Sequence, residues 1–176
     1  MTRRFPEYLK AYLALKKPVE RSDFFRYLWL LGDGGMWADI DTEALAPLES
    51  TLLSNDTLVV SIEAENMGPE AAAVGRYGRW PTQLCQWAMA AAPGHAALQA
   101  VVDHVAAHAL NGTVFSKSPD FDVILKTGPA PWTDAVLPEA RAGRARLLPR
   151  VVFAGRQPAK GAVCIHHFRG IWRTWT

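Results

Sequence analysis

The chain is poor in cysteine: Cys85 and Cys164 are the two it has. Two thiols cannot build a disulfide framework, so an apolar core must hold the fold; one bridge and two free thiols both stay open. Long apolar runs are missing too. The richest stretch, Phe24 to Leu31, is broken by Arg26 and falls well short of bilayer thickness, so no membrane-spanning segment is expected here. No apolar signal region follows the opening Met1-Thr2-Arg3-Arg4-Phe5-Pro6, and there is no internal repeat or low-complexity tract. Acid is absent from the end of the chain. Ala140 to Thr176 holds eight Lys/Arg and no Asp or Glu, whereas Met1 to Glu139 holds 11 basic residues against 17 acidic ones. Such a tail suits a phosphate-bearing partner, because guanidinium groups grip phosphate oxygens in pairs. The basic residues are dispersed through apolar sequence and form no block, which argues against nucleic acid as the partner.

What remains is ordinary globular material. Of 176 residues, 49% are apolar and 20% charged, enough for one compact domain with a real core. Seven tryptophans exceed what such a core needs; most are expected inside, some against a flat ligand. The sequons Asn55-Asp56-Thr57 and Asn111-Gly112-Thr113 carry little weight, since such triplets arise by chance.

Hydrophobic spacing predicts a short helix over 7–16, ended by Pro18, and a second, largely buried helix from Asp23 to Leu31 with Ser22 as N-cap. Gly32, Gly34 and Gly35 stop that helix and lead into an extended Met36 to Ile40. Leu58 to Ile62 reads as a strand. Two helices follow, Thr82 to Ala92 and His95 to Leu110, parted by Pro93-Gly94. A loop over Thr127 to Trp132, a helical turn from Thr133 to Leu137, and late strands at Leu147 to Phe153 and Ala162 to Ile165 complete the reading. Interleaved helices and strands indicate an α/β domain.

The chemistry centres on Gly34-Gly35-Met36-Trp37-Ala38-Asp39-Ile40-Asp41. Carboxylates at i and i+2 on an extended chain point to one side and can share a divalent cation. Oxygen ligands favour Mg²⁺ or Mn²⁺, which in turn can bridge the oxygens of a diphosphate. A solvated pair of loop acids is the plain alternative. Just upstream, Arg21, Asp23 and Arg26 place three charges beside a very apolar stretch. Buried charges are costly unless paired, so these residues form either a structural ion pair or part of a site.

The string from Arg21-Ser22-Asp23-Phe24-Phe25-Arg26 through Gly34-Gly35 to Asp39-Ile40-Asp41 resembles the DXD-containing glycosyltransferases of the initiating α-1,6-mannosyltransferase type. Inositol-phosphoceramide mannosyltransferases and large clostridial glucosylating toxins share that core pattern. Further matches occur in the family's order: Gln86-Trp87 with Ala92-Pro93-Gly94-His95, then Thr127-Gly128-Pro129 with Trp132-Thr133-Asp134-Ala135, then His166-His167-Phe168-Arg169-Gly170-Ile171-Trp172. Trp37 stands where relatives usually carry Tyr, and Ile171 where they carry Ser.

The resemblance implies a GT-A-like α/β fold that holds a nucleotide-diphosphate sugar. The family's opening strand and helix build a base pocket, and this chain starts almost directly at the Arg-x-Asp helix. Residues 1–176 are therefore expected to form one transferase domain that is incomplete at its N-terminus. Carried over by position, Asp39 and Asp41 would hold Mn²⁺ or Mg²⁺ and the donor diphosphate, with His166 completing the metal shell. Asp23 would accept hydrogen bonds from the donor sugar, with Arg26 beside it. Arg21, Gly34, Gly35, Trp37, His167 and Trp172 would line the donor site. Glu63, Glu65 and Asp134 are candidates for the acceptor side, while Cys85, Gln86 and Trp87 read as packing. The implied donor is GDP-mannose, the acceptor a glycan or glycolipid hydroxyl, the outcome retention, and the compartment the Golgi membrane or lumen. Two other readings compete: a remnant that folds without catalysis, and a phosphohydrolase with Asp39 as nucleophile. The last is disfavoured by the preceding Gly-Gly and by Glu43, where that class carries Thr or Val.

Overall fold

The computed structural model describes residues 3–65 and 81–170. Helix α1 (Leu9–Ala14) follows a 3₁₀ turn at Pro6–Tyr8. The next helix, α2, runs from Pro18 to Asp33 and is longer than its apolar spacing predicts. Pro18 ends the preceding segment and also opens α2: at the first helical position its missing N–H is no loss and its fixed φ suits the helix. The Glu20 carboxylate accepts from the backbone N–H of Lys17 at 3.1 Å, so the cap is built here and Ser22 lies inside the helix. Gly34 terminates α2 at φ +65°, ψ −156°, a region open only to glycine. A Cβ there would lie 2.7 Å from the Ala91 carbonyl oxygen and 2.7 Å from Pro93 Cδ.

Strand β1 (Gly35–Ala38) follows, then β2 (Thr42–Ala44), β3 (Leu58–Ala64) and β4 (Gln83–Ala91). Helices α3 (Ala96–Leu110), α4 (Pro119–Lys126) and α5 (Pro129–Arg141) come next. Strand β5 (Arg146–Leu148), the short helix α6 (Arg150–Phe153) and β6 (Cys164–His166) close the described chain. The main sheet has the order β1-β4-β3-β5, antiparallel except for the parallel β3–β5 pair. β2 and β6 form a separate antiparallel pair. Helix α3 packs on α1, α2 and α5, α5 lies on β4, and α6 on β3. The fold is α/β, as the sequence implied.

The stretch read as a helix over 82–92 is instead the central strand β4, and every one of its residues is buried. Its alanines signal helix by intrinsic propensity, but small side chains also suit a strand covered on both faces, and tertiary packing decides. β4 is irregular next to β3. Between the pairs Val60↔Met89 and Ile62↔Leu84 the register shifts, so that five residues of β4 span two of β3. A bulge frees backbone groups that must find partners. They find them in the motifs noted above. Thr133 Oγ1 accepts from Leu84 N–H at 3.0 Å, Trp132 Nε1 donates to the Cys85 carbonyl at 3.0 Å, and Arg26 donates to the Gln86 carbonyl at 3.1 Å.

Other boundaries move for similar reasons. Pro129 sits in the first turn of α5, with Gly128 before it, so the expected loop from Thr127 is mostly helix and the expected turn at Thr133 is its middle. The strand expected over Leu147 to Phe153 is split by Pro149 into β5 and α6. In the Pro93-Gly94-His95 turn, His95 Nδ1 accepts from Ala97 N–H at 3.1 Å and its Nε2 faces the Arg144 carbonyl at 2.9 Å. That histidine caps α3. Both cysteines are free and buried.

Candidate active site

Helix α2 turns one stripe of charge into the protein: Glu20, Asp23 and Arg26, spaced three apart, are all buried. Each is paired, as burial demands. Glu20 meets Lys126 at 3.2 Å. Asp23 meets Arg26 at 3.2 Å and accepts from Thr127 Oγ1 at 2.8 Å. Arg26 also reaches Asp39 at 3.0 Å. The ion pair is therefore real, and it is continuous with the Asp-x-Asp segment. Burial pushes the Asp23 carboxyl up to about 7 despite the opposing charge of Arg26. Burial alone would lower the Arg26 pKa, but Asp39 and Asp23 together raise it, so the guanidinium stays charged.

β1 delivers Asp39 just past its last residue, where Asp39 N–H donates to the Trp87 carbonyl at 2.8 Å. Asp41 lies in the turn before β2 and is held from the other side by the segment after β6. His166 Nε2 approaches its Oδ1 at 2.9 Å, and Arg169 N–H donates to its Oδ2 at 3.1 Å. One ligand atom each from Asp39, Asp41 and His166 can be chosen so that all lie within 4.8 Å of one another. Ile40, between the two acids, is fully exposed. His166 stacks on Trp87 at 4.5 Å, with the Phe168 ring edge-on to both. Burial lowers the His166 pKa, with Asp41 and Asp39 pulling the other way; its Nδ1 accepts from Phe168 N–H at 3.1 Å, and Nε2 is the nitrogen that faces Asp41.

These groups share one cleft of about 290 Å³, lined among others by Asp23, Arg26, Asp39, Asp41, Gln86 and His166. Two carboxylates and one imidazole form a donor set that a divalent ion accepts. Asp23 and Asp39 share the Arg26 guanidinium, while Asp41 faces His166.

Several residues expected at the donor site lie elsewhere. The Arg21 side chain donates to the Leu15 carbonyl at 2.9 Å and ties α2 to the end of α1. Gly34 and Gly35 stand at the opposite end of β1 from Asp39, where Gly34 allows the close approach of Ala91 and Pro93. Trp37 takes a supporting position: its indole N–H donates to Asp39 Oδ1 at 2.9 Å, its ring meets Phe25 edge-on, and Arg26 lies over it at 5.7 Å. His167 points out to Glu43 at 3.0 Å, although its backbone N–H donates to the Asp41 carbonyl. Glu63 lines the cleft, whereas Glu65 and Asp134 are not among its lining residues. Trp172 lies outside the described residues.

Gln86 and Trp87, read as packing, belong to the cleft. Gln86 Nε2 donates to Tyr27 Oη at 2.6 Å and to the Thr127 carbonyl at 3.1 Å, so it ties α2 to the end of α4. Thr127 and Phe168 stand in the matched motifs but were given no role, and Gln83 was not among the expected residues. The signal for Thr127 was its place in the Thr-Gly-Pro motif; for Gln83 only the β4 bulge reveals it.

Comparison with known proteins finds relatives in sequence and a neighbour in structure. Residues 1–59 match the family described as glycosyltransferase sugar-binding region containing DXD motif. The initiation-specific alpha-1,6-mannosyltransferase of Schizosaccharomyces pombe is 36% identical over 136 residues, covering 73% of this chain and 33% of that protein. The Candida albicans protein of the same name is 32% identical over 147 residues, covering 74% and 37%. This chain thus spans about a third of the length of these relatives. The solved PaToxG glycosyltransferase superposes on 80% of this chain and 44% of its own, with a TM-score of 0.48 at 18% identity. The Asp-x-Asp segment and the helix before it lie within the part that matches glycosyltransferases with a DXD-containing sugar-binding region, and the chain is similar in sequence to these mannosyltransferases.

Proposed function

We propose that this chain carries the donor-sugar end of a glycosyltransferase that moves a hexose, mannose, from GDP-mannose to a hydroxyl of a glycan or glycolipid, with retention. The observation that carries the reading is the convergence of Asp39, Asp41 and His166 with the buried Asp23–Arg26 pair in one cleft. Mannose is supported by the names of the relatives, and the Golgi is the compartment the family resemblance suggests.

Asp39, Asp41 and His166 are the residues that would hold Mn²⁺ or Mg²⁺. A cation there would neutralise the charge that builds on the departing diphosphate. The chain's own groups do the positioning. Asp23 accepts from donor-sugar hydroxyls, and its anchors on Arg26 and Thr127 fix its rotamer before substrate arrives. Arg26, charged at all working pH, places a fixed positive group beside the bond that breaks. Trp37 orients the Asp39 carboxylate, and Arg169 N–H orients that of Asp41. No side chain is assigned as base: in front-face transfer the leaving phosphate takes the acceptor's proton.

Hydrolysis of GDP-mannose with Mn²⁺ tests the reading, with Asp41→Ala against wild type. The proposal requires metal-dependent hydrolysis that drops at least about 100-fold in the variant. Equal rates in the two proteins would end it.

A further inference from the structure

A second group of polar side chains in the same cleft has no part in that account. Glu63, near the end of β3, and Gln83, at the start of β4, are brought together where the β3–β4 register is broken. Gln83 Nε2 donates to Glu63 Oε2 at 2.8 Å. With the amide nitrogen committed to the carboxylate, Gln83 Oε1 is buried with no hydrogen-bond partner among the described residues, although the side chain is only 5% exposed and lines the cleft. A buried acceptor left unmatched is costly, and native proteins keep few of them. Glu63 is likewise held in a poor setting for charge. Burial raises its pKa, against the pull of Gln83, Arg156, Arg150 and Trp87.

Trp87 and Phe168, the aromatic rings that flank His166, line the cleft alongside this pair. Two adjacent acceptors beside an apolar aromatic wall match a pyranose ring, which offers neighbouring hydroxyl donors on its rim and C–H groups on its face. Gln83 comes three residues before Gln86, whose carbonyl anchors Arg26, with the irregular part of β4 between them. Asp23 is bonded to Arg26 and Thr127, whereas Glu63 is bonded to Gln83, so the two carboxylates belong to separate hydrogen-bonded groups in the cleft.

We propose that Glu63 and Gln83 form the subsite for the acceptor sugar, accepting hydrogen bonds from two of its hydroxyls while Trp87 and Phe168 form its apolar wall. Glu63 acts here as a positioning residue. This inference rests on the transferase reading for its function, though the sugar site can be tested apart from turnover.

The test uses the full chain with methyl α-D-mannopyranoside as the probe, and the variants Glu63→Gln and Gln83→Leu. Saturation-transfer NMR reads sugar binding directly, and transfer and hydrolysis of GDP-mannose with Mn²⁺ are measured in parallel. The expected result is mannoside binding in the wild type that weakens about tenfold in each variant. The KM for the mannoside should rise in step, with Mn²⁺-dependent donor hydrolysis unchanged. Undiminished binding in both variants, or no binding in the wild type, overturns the subsite. A variant that loses hydrolysis along with binding points to a structural role and also overturns it. Absence of donor hydrolysis in the wild type sinks the transferase reading alone, since the NMR arm still decides whether Glu63 and Gln83 bind a sugar.

Discussion

The Asp23→Asn variant should lose a specific part of the protein's pH dependence of stability. Asp23 is about as buried as Arg26, its partner at 3.2 Å, and its pKa stands near 7 in the folded chain against 3.8 for an exposed carboxyl. The sign follows from proton counting. Below the lower value both states hold the proton. Between the two, the unfolded chain releases it and the folded chain keeps it, so stability falls as pH rises until the folded group also ionises. From pH 5.5 to 8 this one group should remove about 2 kcal/mol, at about 1.4 kcal/mol per unit below its folded pKa. Asparagine can keep the local bonds: its carbonyl faces Arg26, and its NH₂ faces Thr127 Oγ1, which can turn its own proton toward the Val123 carbonyl. The assay is urea unfolding in EDTA at several pH values, with wild type minus variant as the reported quantity. Glu63, raised by burial, and His104, lowered to about 4 by burial and the nearby His108, titrate in both proteins and cancel. Parallel pH profiles would refute the argument.

Three further outcomes follow from the geometry. Gly34→Ala should cost about 3 kcal/mol, from glycine-only backbone plus overlap with Ala91 and Pro93, while Gly94→Ala, at φ +73° with open space around it, should cost about 1 kcal/mol; paired urea midpoints check the contrast. Arg26→Met should destabilise by about 3–5 kcal/mol without metal, because it strands buried Asp23, and adding Mn²⁺ should recover part of that loss in a thermal melt. Trp37→Phe keeps the ring but removes the N–H that fixes Asp39, so titration calorimetry should find Mn²⁺ bound about tenfold more weakly with little change in stability.

The parts legible in the sequence were those with a local physical cause. The Asp-x-Asp pair, the buried charges of α2 and the alternation of helix and strand could be read from spacing. β4 could not, because Ala88 to Ala92 favours helix by itself and becomes strand only between β1 and β3. Gly34 and Gly35 were expected at the donor site from the family resemblance. Four extended residues then carry the chain about 13 Å away before Asp39. Gln83 and Glu63 lie 20 residues apart and meet only through a register shift, which no periodicity announces. Trp37 shows the reverse case: expected from the resemblance to depart from a tyrosine, it brings a polar hydrogen into the site, aimed at Asp39.

Everything proposed for the cleft depends on Asp39, Asp41 and His166 binding one divalent ion. Electron paramagnetic resonance of free Mn²⁺ measures this directly, since the six-line signal of the hydrated ion fades on binding. The account predicts one equivalent bound by wild type, and loss of that binding in Asp39→Asn, Asp41→Asn and His166→Ala proteins that still unfold cooperatively. Equal Mn²⁺ uptake by wild type and these variants, or none by the wild type even with GDP present, would contradict it.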